Sequence, residues 1–247
     1  MLRSFKHKNI VGYIDVLYEN APKDWQEQQE MKHGLRSQEN TDASESTKSN
    51  VERKPVAYII MELCKSETLK DRLVPEYLMN NGLERIEALR IFSQIVEGII
   101  YLHEKRLIHR DLKPDNIFFS LDKADTVKIG DFGLVRREIV EESNANDNST
   151  KITYSTGTES YMAPEQKLSD NRKLLTRKVD IYAMGIILFE LLYQCLTGSE
   201  RIKVLDNLRL NQPKFPTDVE TKIGNEAKEV SNVLSYYLSV TWHKLLI

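Results

Sequence analysis

Residues 179–194 read V-D-I-Y-A-M-G-I-I-L-F-E-L-L-Y-Q, apolar on nearly every side of a helical wheel. A helix without a polar face has to be enclosed by other elements, so the chain must build a helical domain around this segment. The apolar run 181–192 is shorter than the roughly 20 residues a bilayer crossing needs, and Glu190 interrupts it. A buried core helix in a soluble protein is the reading that remains. Residues 83–103 supply a second helix, with Ile86, Leu89, Ile91, Phe92, Ile95, Ile99, Ile100 and Leu102 mostly at three- and four-residue steps. That spacing predicts a wide apolar face.

Upstream the period changes. Residues 9–18 (N-I-V-G-Y-I-D-V-L-Y) and 56–63 (V-A-Y-I-I-M-E-L) are rich in β-branched and aromatic side chains and predict two strands. Between them, 19–55 is dominated by Glu, Gln, Lys, Ser, Thr and Asn. Such a segment buries too little apolar area to offset its ordering entropy, and a disordered insertion is expected there. A further β pair is expected at 117–119 and 127–129, a second polar, mobile run at 141–151, and a helix at 227–237. Residues 238–247 have no clear pattern. The net charge of -2 argues against a nucleic-acid surface built on bulk positive charge. Cys64 and Cys195 are too few for a disulfide framework and read as small buried hydrophobes in a reducing, cytoplasmic setting. The charged start, M-L-R-S-F-K-H-K, is unlike a signal peptide.

The chemistry is concentrated in motifs that follow one another. His109-Arg110-Asp111-Leu112-Lys113-Pro114-Asp115-Asn116 comes first, then Asp131-Phe132-Gly133 after the strand V-K-I-G. Gly157-Thr158-Glu159-Ser160-Tyr161-Met162-Ala163-Pro164-Glu165 follows, and Asp180 opens the apolar helix. An acid, a base and an amide on one loop can be a solvated turn, but these motifs in this order resemble eukaryotic protein kinases.

The resemblance implies an α+β kinase fold and the residue roles that go with it. Phosphoryl transfer from ATP asks the protein mainly for alignment and charge neutralisation. Asp111 would orient or accept the proton of the attacking hydroxyl, Lys113 would neutralise the moving phosphoryl group, and Asn116 and Asp131 would hold Mg²⁺. Lys113, two residues after Asp111, matches the Ser/Thr rather than the tyrosine pattern. Met61, Glu62, Leu63 and Cys64 resemble the gatekeeper and hinge beside adenine, with Leu63 and Phe118 as apolar cover. Arg110 would receive an activating phosphate, for which Thr153 is the first choice, and Thr158 matches a position that hydrogen-bonds near the catalytic Asp.

Two departures stand out. The chain has no G-x-G-x-x-G, no strand lysine in a V-A-I-K context, and no glutamate before Glu19, so the upper contacts to ATP are missing. Glu165 of the A-P-E motif resembles one that pairs with a late arginine, yet no arginine follows Arg209. The expected organisation is a remnant upper lobe at 1–63, a lower lobe at 64–234 and an atypical tail at 235–247. A two-stranded remnant cannot stand alone and should leave apolar side chains partly exposed, with poor stability and little catalysis.

The hinge M-E-L-C-K-S-E-T-L-K-D-R-L, the run L-I-H-R-D-L-K-P-D-N-I-F-F, Y-M-A-P-E-Q and the strand-insert-strand order resemble the kinases of eukaryotic translation initiation factor 2 alpha. Residues 200–216 also resemble that family's substrate-docking helix. The resemblance implies the factor's alpha subunit as substrate, control of translation under stress, and a kinase dimer partner. The net charge and the length of the apolar runs argue against nucleic-acid binding by this segment and against a membrane segment. Two other readings remain open at this point: an inactive lobe that competes for partners, and a Ser/Thr kinase of another group.

Overall fold

The computed structural model describes residues 5–20, 55–74, 78–79, 82–122, 124–137, 158–167, 176–210, 213–224 and 232. The chain divides into two compact units, Met1–Phe5 with Gly12–Glu62, and Lys6–Val11 with Leu63–Ile247.

The first unit is an antiparallel hairpin of β1 (Tyr13–Asn20) and β2 (Pro55–Met61), with Val16 opposite Ile59 and Tyr18 opposite Ala57. Its open end is closed by two hydrogen bonds: Glu62 N–H donates to the Gly12 carbonyl at 2.7 Å, and Gly12 N–H donates to Glu62 Oε2 at 2.9 Å. Ile14, Leu17, Tyr18, Tyr58 and Ile59 are exposed, in keeping with a sheet of only two described strands. The polar insertion is shorter at both ends than 19–55, because β1 continues through Asn20 and β2 starts at Pro55. The remainder of that insertion lies outside the described residues.

The second unit carries the core. β3 (Cys64–Thr68), β5 (Ile117–Ser120) and β6 (Val127–Ile129) form an antiparallel sheet, and β4 (Leu107–Ile108) pairs with β7 (Arg136–Arg137). The 9–18 strand expectation is corrected here. Residues 9–11 leave the hairpin and run along β6, with Val11 N–H donating to the Ile129 carbonyl at 2.8 Å and Ile129 N–H to the Asn9 carbonyl at 2.9 Å. Asn9 is fully buried and its amide donates to Gln94 Oε1 and the Val127 carbonyl, which pins the segment.

Helix α1 (Leu69–Arg72) starts at a reciprocal cap between Thr68 and Asp71. Its Arg72 is buried, pairs with Glu67 and Asp125, and lies 3.5 Å over the Phe119 ring. Helix α2 (Arg85–Glu104) buries Ala88, Ile91, Ile95, Gly98, Ile99 and Leu102. Its apolar face is narrower than the sequence suggests, since Ile86, Leu89 and Ile100 are exposed. Gly98 permits the close approach of α2 to the sheet: a Cβ there would sit 2.7 Å from Ile129 Cδ1 and 3.0 Å from the Asn9 carbonyl. Helix α3 (Pro164–Lys167) is short. Helix α4 (Lys178–Tyr193) is buried on nearly every side, as its composition demands. Helices α5 (Gly198–Leu208) and α6 (Val219–Ile223) follow, α5 capped by the Thr197 hydroxyl accepting from Glu200 N–H.

The architecture is α+β, in agreement with the sequence. Cys195 is buried, and burial pushes its thiol up to about 12. Cys64 is only half-buried because it sits in β3, a corrected expectation. The 141–151 run, nearly all of the 227–237 helix and the 238–247 tail lie outside the described residues. Among the described residues no helix is long and apolar enough to cross a membrane.

Candidate active site

Loop 109–116 leaves β4 and enters β5 through a 3-10 turn at Pro114–Asn116. Its first residues are held by a single buried carboxylate from the start of α4. Asp180 Oδ1 accepts from Arg110 N–H at 2.9 Å, and Oδ2 accepts from His109 N–H at 2.9 Å and meets His103 Nε2 at 2.8 Å. Arg110 takes a left-handed backbone, φ 71°, which a non-glycine residue adopts only where its surroundings fix it. The His109 ring is fully buried, with Nε2 3.0 Å from the Gly130 carbonyl and its edge against Phe132 at 5.6 Å. Gly130 N–H donates to the Asn116 carbonyl at 2.9 Å. These contacts bring the loop and the Asp131-Phe132-Gly133 turn into one arrangement.

Asp111 is the acceptor at the centre of that loop. Lys113 Nζ donates to its Oδ2 at 2.9 Å, and Asn116 Nδ2 donates to its carbonyl at 2.8 Å and to Oδ2 at 3.1 Å. The Asn116 amide is thereby oriented by its nitrogen, which leaves its oxygen as the donor suited to a hard cation. Asp131 is exposed, in the left-handed region at φ 57°, with Oδ1 accepting from Gly133 N–H at 3.3 Å. One carboxylate and one amide oxygen form the kind of sparse oxygen set Mg²⁺ accepts, with waters and phosphate oxygens completing its shell. No cluster of three or more His, Cys, Asp or Glu suited to a metal occurs among the described residues.

The other sequence-predicted residues are distributed as follows. Met61 and Glu62 close the hairpin unit, while Leu63 and Cys64 open the second unit, Leu63 being 76% exposed. Phe118 lies half-buried on β5 against Gly130. Thr158 begins a 3-10 turn at Thr158–Tyr161, and Thr153 lies outside the described residues. Glu165, on α3, is half-buried, and its Oε2 finds no hydrogen-bond partner among the described residues. Burial raises its carboxyl above the ordinary 4.5, against the weaker pull of Lys178.

That orphan gives a pH-dependent prediction. The native chain holds the Glu165 proton more tightly than the unfolded chain does, so its contribution to stability falls as pH rises above the unfolded value. Glu165→Gln removes the buried charge. It should be more stable than wild type at pH 7 by about 1 kcal/mol, and the difference should vanish below about pH 4, where both states are protonated. Urea denaturation at the two pH values reads it.

Asp180 stood out in the sequence by its place in the motif order, but not as the anchor of loop 109–116. Sequence reasoning missed two further contributors. Gln166 accepts from Ala163 N–H and donates to the Arg110 carbonyl, each at 2.9 Å, bracing the 158–166 segment on the loop. Lys70 of α1 pairs with Asp115 at 2.6 Å beside Asn116. Each joins residues far apart in the chain, so no local pattern signals it.

The sequence profile described as protein kinase domain matches residues 1–241. The chain belongs to the protein kinase family. It is 42% identical over 183 residues to eukaryotic translation initiation factor 2-alpha kinase 3 of Rattus norvegicus, covering 72% of this chain and 16% of that protein. It is 40% identical over 197 residues to the eIF-2-alpha kinase GCN2 of Homo sapiens, covering 74% and 11%. A probable serine/threonine-protein kinase, ifkB, of Dictyostelium discoideum is 34% identical over 227 residues, covering 77% and 16%. The chain therefore spans about a sixth or less of the length of these relatives. A protein kinase domain uses ATP and a divalent metal, and the donor set at Asn116 and Asp131 fits such an ion.

Proposed function

We propose that this chain carries the phosphoryl-transfer machinery of a Ser/Thr protein kinase acting on the alpha subunit of eukaryotic translation initiation factor 2, with Mg²⁺ and ATP. The observation that carries the reading is the Asp111 carboxylate, held by Lys113 and Asn116 in a loop anchored on Asp180. Asp111 orients the substrate hydroxyl and takes its proton. Lys113, already at the carboxylate, offsets the charge of the passing phosphoryl group. Mg²⁺, held by Asn116 and Asp131, supplies neutralisation of the phosphate oxygens when bound.

The substrate assignment rests on the relatives, several of which are named for that factor. Helix α5 offers Ile202 and Lys203 on its exposed side for a protein substrate. Thr153 with Arg110 forms the activating phosphosite, and a cytoplasmic location follows from the substrate.

Incubation with Mg²⁺-ATP and the alpha subunit, beside an unrelated Ser/Thr-containing protein, tests the reading. Transfer to the alpha subunit alone supports it, and equal transfer to both places the chain in another Ser/Thr group. No transfer from a folded sample would leave a lobe that binds partners without catalysis.

A further inference from the structure

Outside the loop just described, a buried charged cluster in the second unit joins three elements. Tyr161, ending the 158–161 turn, is 4% exposed, and Glu190 of α4 is 5% exposed. Arg201 reaches them from α5: Nε donates to Glu190 Oε1 at 2.7 Å and Nη2 donates to the Tyr161 oxygen at 2.6 Å. The Tyr161 hydroxyl in turn donates to Glu190 Oε2. The three side chains close a ring in which both carboxylate oxygens are used. Burial and the neighbouring carboxylate push the Tyr161 phenol well above its usual range, so it stays a donor.

Nothing in the chemistry assigned to Asp111, Lys113, Asn116 and Asp131 calls for this ring. Its position gives it a use. Tyr161 and Met162 line one small cavity together with Arg110, Asp111 and Leu112. The 158–166 segment is therefore a wall of the catalytic loop, and Gln166 and Arg201 are among the side chains that brace it. Gln166 does so from within the segment, to the Arg110 carbonyl. Arg201 does so from a separate helix.

We infer that Arg201 is a positioning residue: it carries a guanidinium from α5 to Tyr161 and fixes the 158–163 turn beside Asp111. A planar fork suits this because one group must meet two acceptors in set directions, which an ammonium cannot reproduce. The inference concerns where the segment sits, so it is read independently of any substrate.

Hydrogen exchange by mass spectrometry on the full chain tests it. The reporters are the Met162, Ala163 and Gln166 amides, which donate to the Glu159 carbonyl, Gln166 Oε1 and the Ala163 carbonyl. R201A should speed exchange across 158–166 about tenfold or more, the loss of about 1.4 kcal/mol of local protection, while peptides of α2 keep wild-type rates. R201K should fall between R201A and wild type, since Lys regains Glu190 without holding both partners. Should R201A unfold, Y161F decides, because it removes one oxygen and keeps the Arg201–Glu190 pair. In Y161F, 158–166 should loosen while α5 stays protected. Wild-type exchange at 158–166 in both R201A and Y161F, or loosening shared equally by α2, α5 and 158–166, would overturn the assignment and leave the ring a packing feature.

Discussion

Asp111→Ala should lower phosphoryl transfer by about 10²–10⁴-fold, the range spanned by a positioned acid-base group, with ATP binding changed far less. The carboxylate is the acceptor on which Lys113 and Asn116 converge, so its removal takes away the proton acceptor and releases both partners together. Asp111→Asn separates these effects. It keeps the shape and one acceptor oxygen while abolishing basicity, so it should be nearly as inactive as alanine yet melt close to wild type. Initial rates at saturating ATP, with denaturation curves for both variants, decide the matter. A variant retaining more than about a tenth of wild-type transfer would place the base elsewhere, since even the low end of the acid-base range is larger.

The residues of this loop were legible in the sequence because they are contiguous and of unusual type. Helix α4 was legible for another reason: a segment without a polar face has one place to go. Where the sequence misled, two competing arrangements shared one pattern. Residues 9–18 are rich in β-branched and aromatic side chains and read as a single strand, yet 9–11 pair with β6 and 13–20 with β2, because that composition marks an extended chain and not its partner. Ile86 and Ile100 matched the helical period and still face solvent, since spacing alone leaves the width of the buried stripe open. Strand β3, C-K-S-E-T, escaped notice because its residues are polar and half-exposed; its pairing with β5 is what makes it a strand. The Arg201–Glu190–Tyr161 ring and the Asp180 anchor are contacts between remote residues. They arise only once α4 and α5 are packed against the loop.

Asp180→Ala should be the most damaging single change to the fold. The carboxylate is 1% exposed and serves two backbone N–H groups and the His103 ring. Alanine would strand the buried His109 N–H and take the acceptor from the part-buried Arg110 N–H, at about 1–3 kcal/mol for each donor left unmade. It would also release the left-handed Arg110 backbone, which the Oδ1 contact helps to hold. A loss of about 3–5 kcal/mol is a large part of the 5–15 kcal/mol that keeps a typical domain folded. Asp180→Asn isolates the cause. Its one remaining oxygen can serve only one of the two carboxylate positions, and its amide nitrogen would face a donor at the other. Its urea midpoint should therefore fall between those of wild type and alanine, with Asp111-dependent transfer lost in step. An Asp180→Asn midpoint equal to wild type would mean that the loop is held by its other contacts, the His109–Gly130 and Gly130–Asn116 hydrogen bonds, and that the α4 carboxylate only fills space.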